Sequence, residues 1–246
     1  VLFFWVFLLS NWSNVKRFYK EADVLIQTKD QYLIILDGKT VKTPAGIELS
    51  APTRLLAEAM AAEWEEQGDV IDPRSMPLCK LSATAIDRIK KNRDEVIGIT
   101  LKLAETDLLC YRATDPDDLV NLQKSIWQSE LDWAKNVLGV DLKVTDGILP
   151  IIQPENSLRA CQEILRSLDD YKLMGVTNAA AAAGSLVLSL GMFWKRMDAD
   201  KMFEISILEE RYQMDKWGFD EEAMKQHKAI RSDIQNSQIF LNLLEK

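Results

Sequence analysis

The hydrophobic period of this chain changes once, and that change sets its fold class. From Ala22 to Leu49 apolar residues come in short runs bounded by turn residues. Val24-Leu25-Ile26-Gln27 and Tyr32-Leu33-Ile34-Ile35-Leu36 read as strands, and Asp37-Gly38 is a strong hairpin signal before Lys39-Thr40-Val41-Lys42-Thr43. From Thr53 onward apolar residues recur at spacings of three and four, the helical period. Only Asp107-Leu108-Leu109-Cys110-Tyr111-Arg112 and the residues around Val144 read as extended after that point. The expected class is therefore α+β: a small N-terminal antiparallel β-rich domain followed by a larger all-helical domain. Residues 15–75 would form the first, with one covering helix, and residues 76–246 the second. Asp72-Pro73-Arg74-Ser75-Met76-Pro77 is the expected linker, because two prolines in six residues continue neither neighbour.

Within this frame the first helix has Thr53 as its expected N-cap and carries Leu55, Leu56, Ala59, Met60 and Trp64. Trp64 is expected to pack it on the sheet. Residues 171–195 are the most apolar stretch, but Asn178, Ser185 and Ser189 interrupt it and Lys172 and Lys195 bracket it. They read as a central core helix rather than a membrane span, with Gly175 and the alanines allowing close approach by neighbours.

The next helix is expected to run from Asp198, a carboxylate cap, to Gly218. At about 100° per residue, Ala199, Phe203, Ile207, Met214 and Trp217 share one face, and Ile205, Leu208 and Tyr212 a second. Glu210 points into the first face. Glu209 lies in a narrow stripe with Ser206, Gln213 and Lys216. Adjacent glutamates on a helix apolar on two sides need partners, since an unpaired buried carboxylate is costly.

Residues 1–14 carry no charge. Their apolar run is too short for a bilayer, which takes about 20 residues, and it lacks the basic start and cleavage site of a signal peptide. They are expected to stand outside the fold, with Val15-Lys16-Arg17-Phe18-Tyr19 opening it.

The chemistry is sparse. The 246 residues carry a net charge of −8 and show no basic stripe, so no nucleic-acid partner is expected. Three scattered cysteines form no Cys-x-x-Cys pair, which fits buried thiols in a reducing compartment. His227 is the only histidine, which rules out a multi-histidine metal site; among Lys225, Gln226 and Lys228 it reads as solvated. Acidic clusters at Asp115/Asp117/Asp118 and Asp220/Glu221/Glu222 sit at helix starts, where the macrodipole favours them. No cofactor or metal site is expected. Pattern alone favours a binding protein, with a small carboxylate-dependent hydrolase as the alternative.

Several short motifs nonetheless occur together and in order. They are Arg17-Phe18-Tyr19-Lys20, Leu36-Asp37-Gly38-Lys39 with Val41-Lys42-Thr43-Pro44, Ala62-Glu63-Trp64, Asp107 through Arg112, and Leu208-Glu209-Glu210 with Tyr212-Gln213 and Trp217-Gly218. The set resembles the ATP synthase assembly chaperone family of mitochondria and alphaproteobacteria, which handles the free alpha subunit of the catalytic head. The resemblance covers residues 16–244. It implies a non-enzymatic protein that keeps the unassembled alpha subunit soluble until beta subunits take its place. It also implies a β domain followed by a helical one. The family's functional glutamate is the first of the Leu-Glu-Glu pair, here Glu209. Gln213 and Glu210 are further candidates for partner contact, Glu210 being better suited to a structural role. Trp64, Tyr212 and Trp217 read as structural. A monomer without a membrane span is expected. The unpaired cysteines and the lack of an Arg-rich leader point to a bacterial cytoplasm, with the mitochondrial matrix as the alternative.

Overall fold

A computed structural model describes residue 12 and residues 15–146, 150–218 and 221–245. The strands are β1 (Ala22–Thr28), β2 (Gln31–Leu36), β3 (Lys39–Thr40), β4 (Ser50–Ala51), β5 (Tyr111–Arg112) and β6 (Thr145–Asp146). The helices are α1 (Arg54–Glu65), α2 (Pro77–Thr84), α3 (Lys90–Glu105), α4 (Asp117–Trp133), α5 (Glu155–Ser167), α6 (Asp170–Ala183), α7 (Leu186–Phe193), α8 (Ala199–Ser206), α9 (Leu208–Trp217) and α10 (Glu221–Leu243). The architecture is α+β, a small antiparallel sheet followed by helices, as the change of period requires. Two compact units form. One contains Val1–Arg93, Asp169–Gly175 and Ile239–Lys246; the other contains Asp94–Leu168 and Val176–Gln238. The first thus extends past the boundary expected at residue 75 and gathers two later segments.

In the first unit β2 pairs with β1, β3 and β4, all antiparallel. The β2–β3 turn places Asp37 at φ 47° and Gly38 at φ 77°, the left-handed pair that an Asp-Gly hairpin supplies. Thr53 caps α1 by accepting from the Leu56 N–H at 3.3 Å. Helix α1 lies on β1 and β2 and buries Leu56, Ala57, Met60, Ala61, Glu63 and Trp64. Trp64 is 2% exposed, and Tyr19 donates its hydroxyl to the Trp64 carbonyl at 2.7 Å. The rings of Trp12 and Tyr19 meet Trp64 edge-on at 5.3 and 5.8 Å. Residues 1–14 were expected to stand outside the fold. Trp12 departs from that, because it is buried against Trp64; the rest of that segment lies outside the described residues.

The expected linker is a single tight turn, Pro73–Ser75, leading directly into α2. Glu63, reaching from α1, accepts from the Leu78 and Cys79 N–H groups at 2.7 and 2.8 Å and so caps the start of α2. Burial pushes its pKa up to about 7 against these hydrogen bonds. In the same unit Gly175 lies against α10: a Cβ there would stand 2.7 Å from Leu241 Cδ2, so any larger residue must displace the Leu241 side chain.

Two of the expected helices are each broken in two. The apolar stretch 171–195 is α6 and α7, broken at Gly184 (φ +66°), after which the Ser185 side chain caps α7 by accepting from the Leu188 N–H at 3.1 Å. Asp107, fully buried, accepts from the Leu109 and Val187 N–H groups at 3.1 Å each, and burial raises its pKa to about 6. The stretch 198–218 is likewise two helices. Asp198 caps α8 through the Lys201 N–H at 2.8 Å, as expected, but Ile207 leaves helical geometry at φ −101°, ψ 16°. Adjacent Ile207 and Leu208 would point about 100° apart on one helix; the break lets both be buried. Among the described residues no helix is long and apolar enough to cross a membrane.

Candidate functional site

The site is built on α9, in the second unit. Leu208 is its one fully buried residue. Glu209 and Glu210 fall in its first turn, where the helix dipole favours carboxylates. Glu209 is half-buried. Its Oε2 accepts from Gln123 Nε2 at 3.2 Å and its Oε1 from Gln213 Nε2 at 3.4 Å. Gln213 is exposed, whereas Gln123 is completely buried on α4.

Gln123 is held at both ends. Its Oε1 accepts from the Ala113 N–H at 2.8 Å, so the amide must turn its NH2 toward Glu209. Its backbone carbonyl accepts from Arg112 Nη1 at 2.7 Å. Arg112 is 9% exposed, stands over the Trp127 ring at 5.4 Å, and has its pKa lowered by burial. Its Nε and Nη2 are buried with no hydrogen-bond partner among the described residues. Trp127 in turn donates Nε1 to the Ile205 carbonyl at 3.0 Å, tying α4 to α8.

A second set of contacts holds α9 further along. The Tyr212 hydroxyl donates to Asp118 Oδ1 at 2.6 Å, and Lys216 Nζ stands 3.3 Å from Asp118 Oδ2. These hydrogen bonds hold the Asp118 carboxyl below the usual carboxylate range. The same Lys216 Nζ lies 5.3 Å from the centre of the Tyr212 ring.

Three expectations are corrected here. Glu210 does not point into apolar surroundings: its side chain is 57% exposed, 3.6 Å from His227 Nε2. His227 is not solvated among lysines; its side chain is 13% exposed, and its ring stands edge-on to Phe203 at 6.3 Å. Trp217, expected to be structural, is 78% exposed. The wheel that placed Glu210 and Trp217 beside Phe203 assumes one continuous helix, which the break at Ile207 ends; His227 is covered through its contact with Phe203 of α8.

Sequence reasoning missed Gln123 and the roles of Asp118 and Arg112. Gln123 had a signal. It lies at four-residue spacing between Leu119 and Trp127, on the buried stripe of α4. A polar residue at a core position of an amphipathic helix must have a partner.

Chemically, Glu209 is one carboxylate facing amides, an acceptor for donors from outside. Burial raises three carboxyls among the described residues: Glu63 and Asp107 each cap a helix start, and Glu210 stands beside His227. Among the described residues no group of three or more His, Cys, Asp or Glu is placed to hold a metal.

Comparison with known proteins fits this geometry. Residues 16–135 match the model of the ATP12 chaperone protein family. Atp12 from Paracoccus denitrificans, solved by crystallography, is 32% identical and superimposes with a TM-score of 0.88, over 94% of this chain and 98% of that one. The chain belongs to the ATP12 chaperone family. Protein atp12, mitochondrial, of Schizosaccharomyces pombe is also similar, 27% identical over 235 residues, which span 91% of this chain and 79% of that protein. Membership of this family makes the chain an ATP synthase assembly chaperone.

Proposed function

We propose that this protein binds the unassembled alpha subunit of F-type ATP synthase and keeps it soluble until it joins beta subunits. It acts without catalysis and as a monomer. Glu209 is the residue that fixes the register of that contact, with Gln213 beside it and Glu210 at the edge. The observation that carries the reading is the half-buried carboxylate of Glu209, on a helix that buries only Leu208 fully, in a member of an assembly-chaperone family. A surface that beta subunits later cover is apolar with a few charges, and a partly desolvated carboxylate recognises a cation or N–H donors there. Three free, buried cysteines support a reducing compartment, a bacterial cytoplasm or a mitochondrial matrix.

Charge reversal tests it. Glu209→Lys repels the group that Glu209 attracts, so alpha-subunit capture in a co-expression pull-down should fall by about tenfold or more. The circular dichroism melt should stay close to the parent's. Undiminished capture, or a collapsed melt, would remove Glu209 from the contact.

A further inference from the structure

We infer that Gln123, which never reaches the surface, positions Glu209 for its partner. The inference rests on the reading of Glu209 as a contact residue. A glutamate side chain on an exposed helix samples several rotamers, and binding must freeze them at a cost of about 0.5–1.5 kcal/mol. Here the freezing is done in advance. The Gln123 side chain cannot flip, because its Oε1 is committed to the Ala113 N–H. Its backbone cannot drift freely, because the Arg112 guanidinium holds its carbonyl. Trp127, one turn on, anchors the same helix to the Ile205 carbonyl. The NH2 that remains is aimed at Glu209 Oε2. That leaves Oε1, which faces the exposed Gln213 at a long 3.4 Å, as the oxygen open to a partner's donor. One bound and one open oxygen suit a single donor, such as an ammonium group or one arm of a guanidinium, better than a bidentate fork.

The rival account is that Gln123 merely satisfies the buried Ala113 N–H. A double-mutant cycle on affinity for free alpha subunit separates the two. Gln123→Glu keeps an acceptor for Ala113, removes the donor and sets a like charge against Glu209. Gln123→Met, measured in parallel, removes the donor without adding charge. Positioning predicts that each weakens binding about fivefold or more in the parent, and by less than about 1.5-fold in a Glu209→Ala background. Equal losses in both backgrounds, or none in either, would overturn the inference, whatever the melts show. If Glu209→Ala itself binds as the parent does, the contact reading fails, and the positioning role with it. If Glu209→Ala weakens binding while both Gln123 variants leave it intact, only the positioning role fails.

Discussion

Helices α1 and α9 each carry a glutamate and a tryptophan in a family motif, and the fold uses them in opposite ways. In α1, Glu63 and Trp64 are both buried; the carboxyl takes two backbone N–H groups and the ring meets Trp12 and Tyr19. In α9, Glu209 takes side-chain amides, Trp217 stands in solvent, and Leu208 alone is fully buried. One helix is held by packing. The other is held by polar links to α4, through Gln123 at one end and Asp118 at the other. Packed elements resist opening, and polar-linked ones are drawn from the low-stability end of a structure, where contacts with partners are made. The same residue types therefore serve the core in one place and, in the function proposed above, recognition in the other.

The largest effect expected from this contrast is at Trp64. Truncating a fully buried aromatic costs about 3–5 kcal/mol, so Trp64→Ala should lower the denaturant midpoint strongly and reduce soluble yield. A variant that unfolds like the parent but no longer captures alpha subunit would make Trp64 a contact residue and erase the distinction between the helices.

Glu63 gives the next effect, and its sign is opposite to that of an ion-paired carboxylate. The folded state holds its proton up to about pH 7, while the unfolded chain releases it near the ordinary 4.5. Stability contributed by the protonated cap is full below about pH 4.5, falls as pH rises through about 7, and is level above; the loss is on the order of 3 kcal/mol. Asp107 adds a fall of the same sign between its ordinary 3.8 and about 6. Melting temperatures between about pH 5 and 8 should decline, and Glu63→Gln, which keeps an acceptor at the start of α2 but cannot ionise, should flatten the upper half of that decline. An unchanged slope in the variant would mean that Glu63 is ionised in the folded protein at low pH.

How far these features were legible depends on how local their causes are. The Asp37-Gly38 hairpin, the Thr53 cap and the Asp198 cap are written in neighbouring residues, and each forms where expected. The break at Ile207 is not, because no glycine or proline marks it; it follows from burying Ile207 and Leu208 together. Glu63 capping α2 and Asp107 meeting Val187 join residues 15 and 80 positions apart, and no period signals them. For the site, the family motif selected Glu209, whereas Gln123, 86 positions away, had only its place on a buried stripe to mark it.

The smallest effect on stability is expected at Trp217, and it bears most directly on the comparison. Trp217 closes α9 just before Gly218, whose φ of 97° ends the helix, and its ring is 78% exposed. It stands two turns from Glu209, at the i+8 position, so both fall along one side of the helix with Gln213 between them. Large exposed aromatics are disproportionately the anchors of protein interfaces, since they gain most when covered. Trp217→Ala should therefore change unfolding free energy by no more than about 0.5 kcal/mol, as surface substitutions do, while weakening capture of the alpha subunit. Chemical denaturation and the pull-down read the two quantities separately. A destabilisation near that of Trp64→Ala would show that the ring packs in solution and that α9 is held like α1. Unchanged stability with unchanged capture would confine recognition to the Glu209 end of the helix.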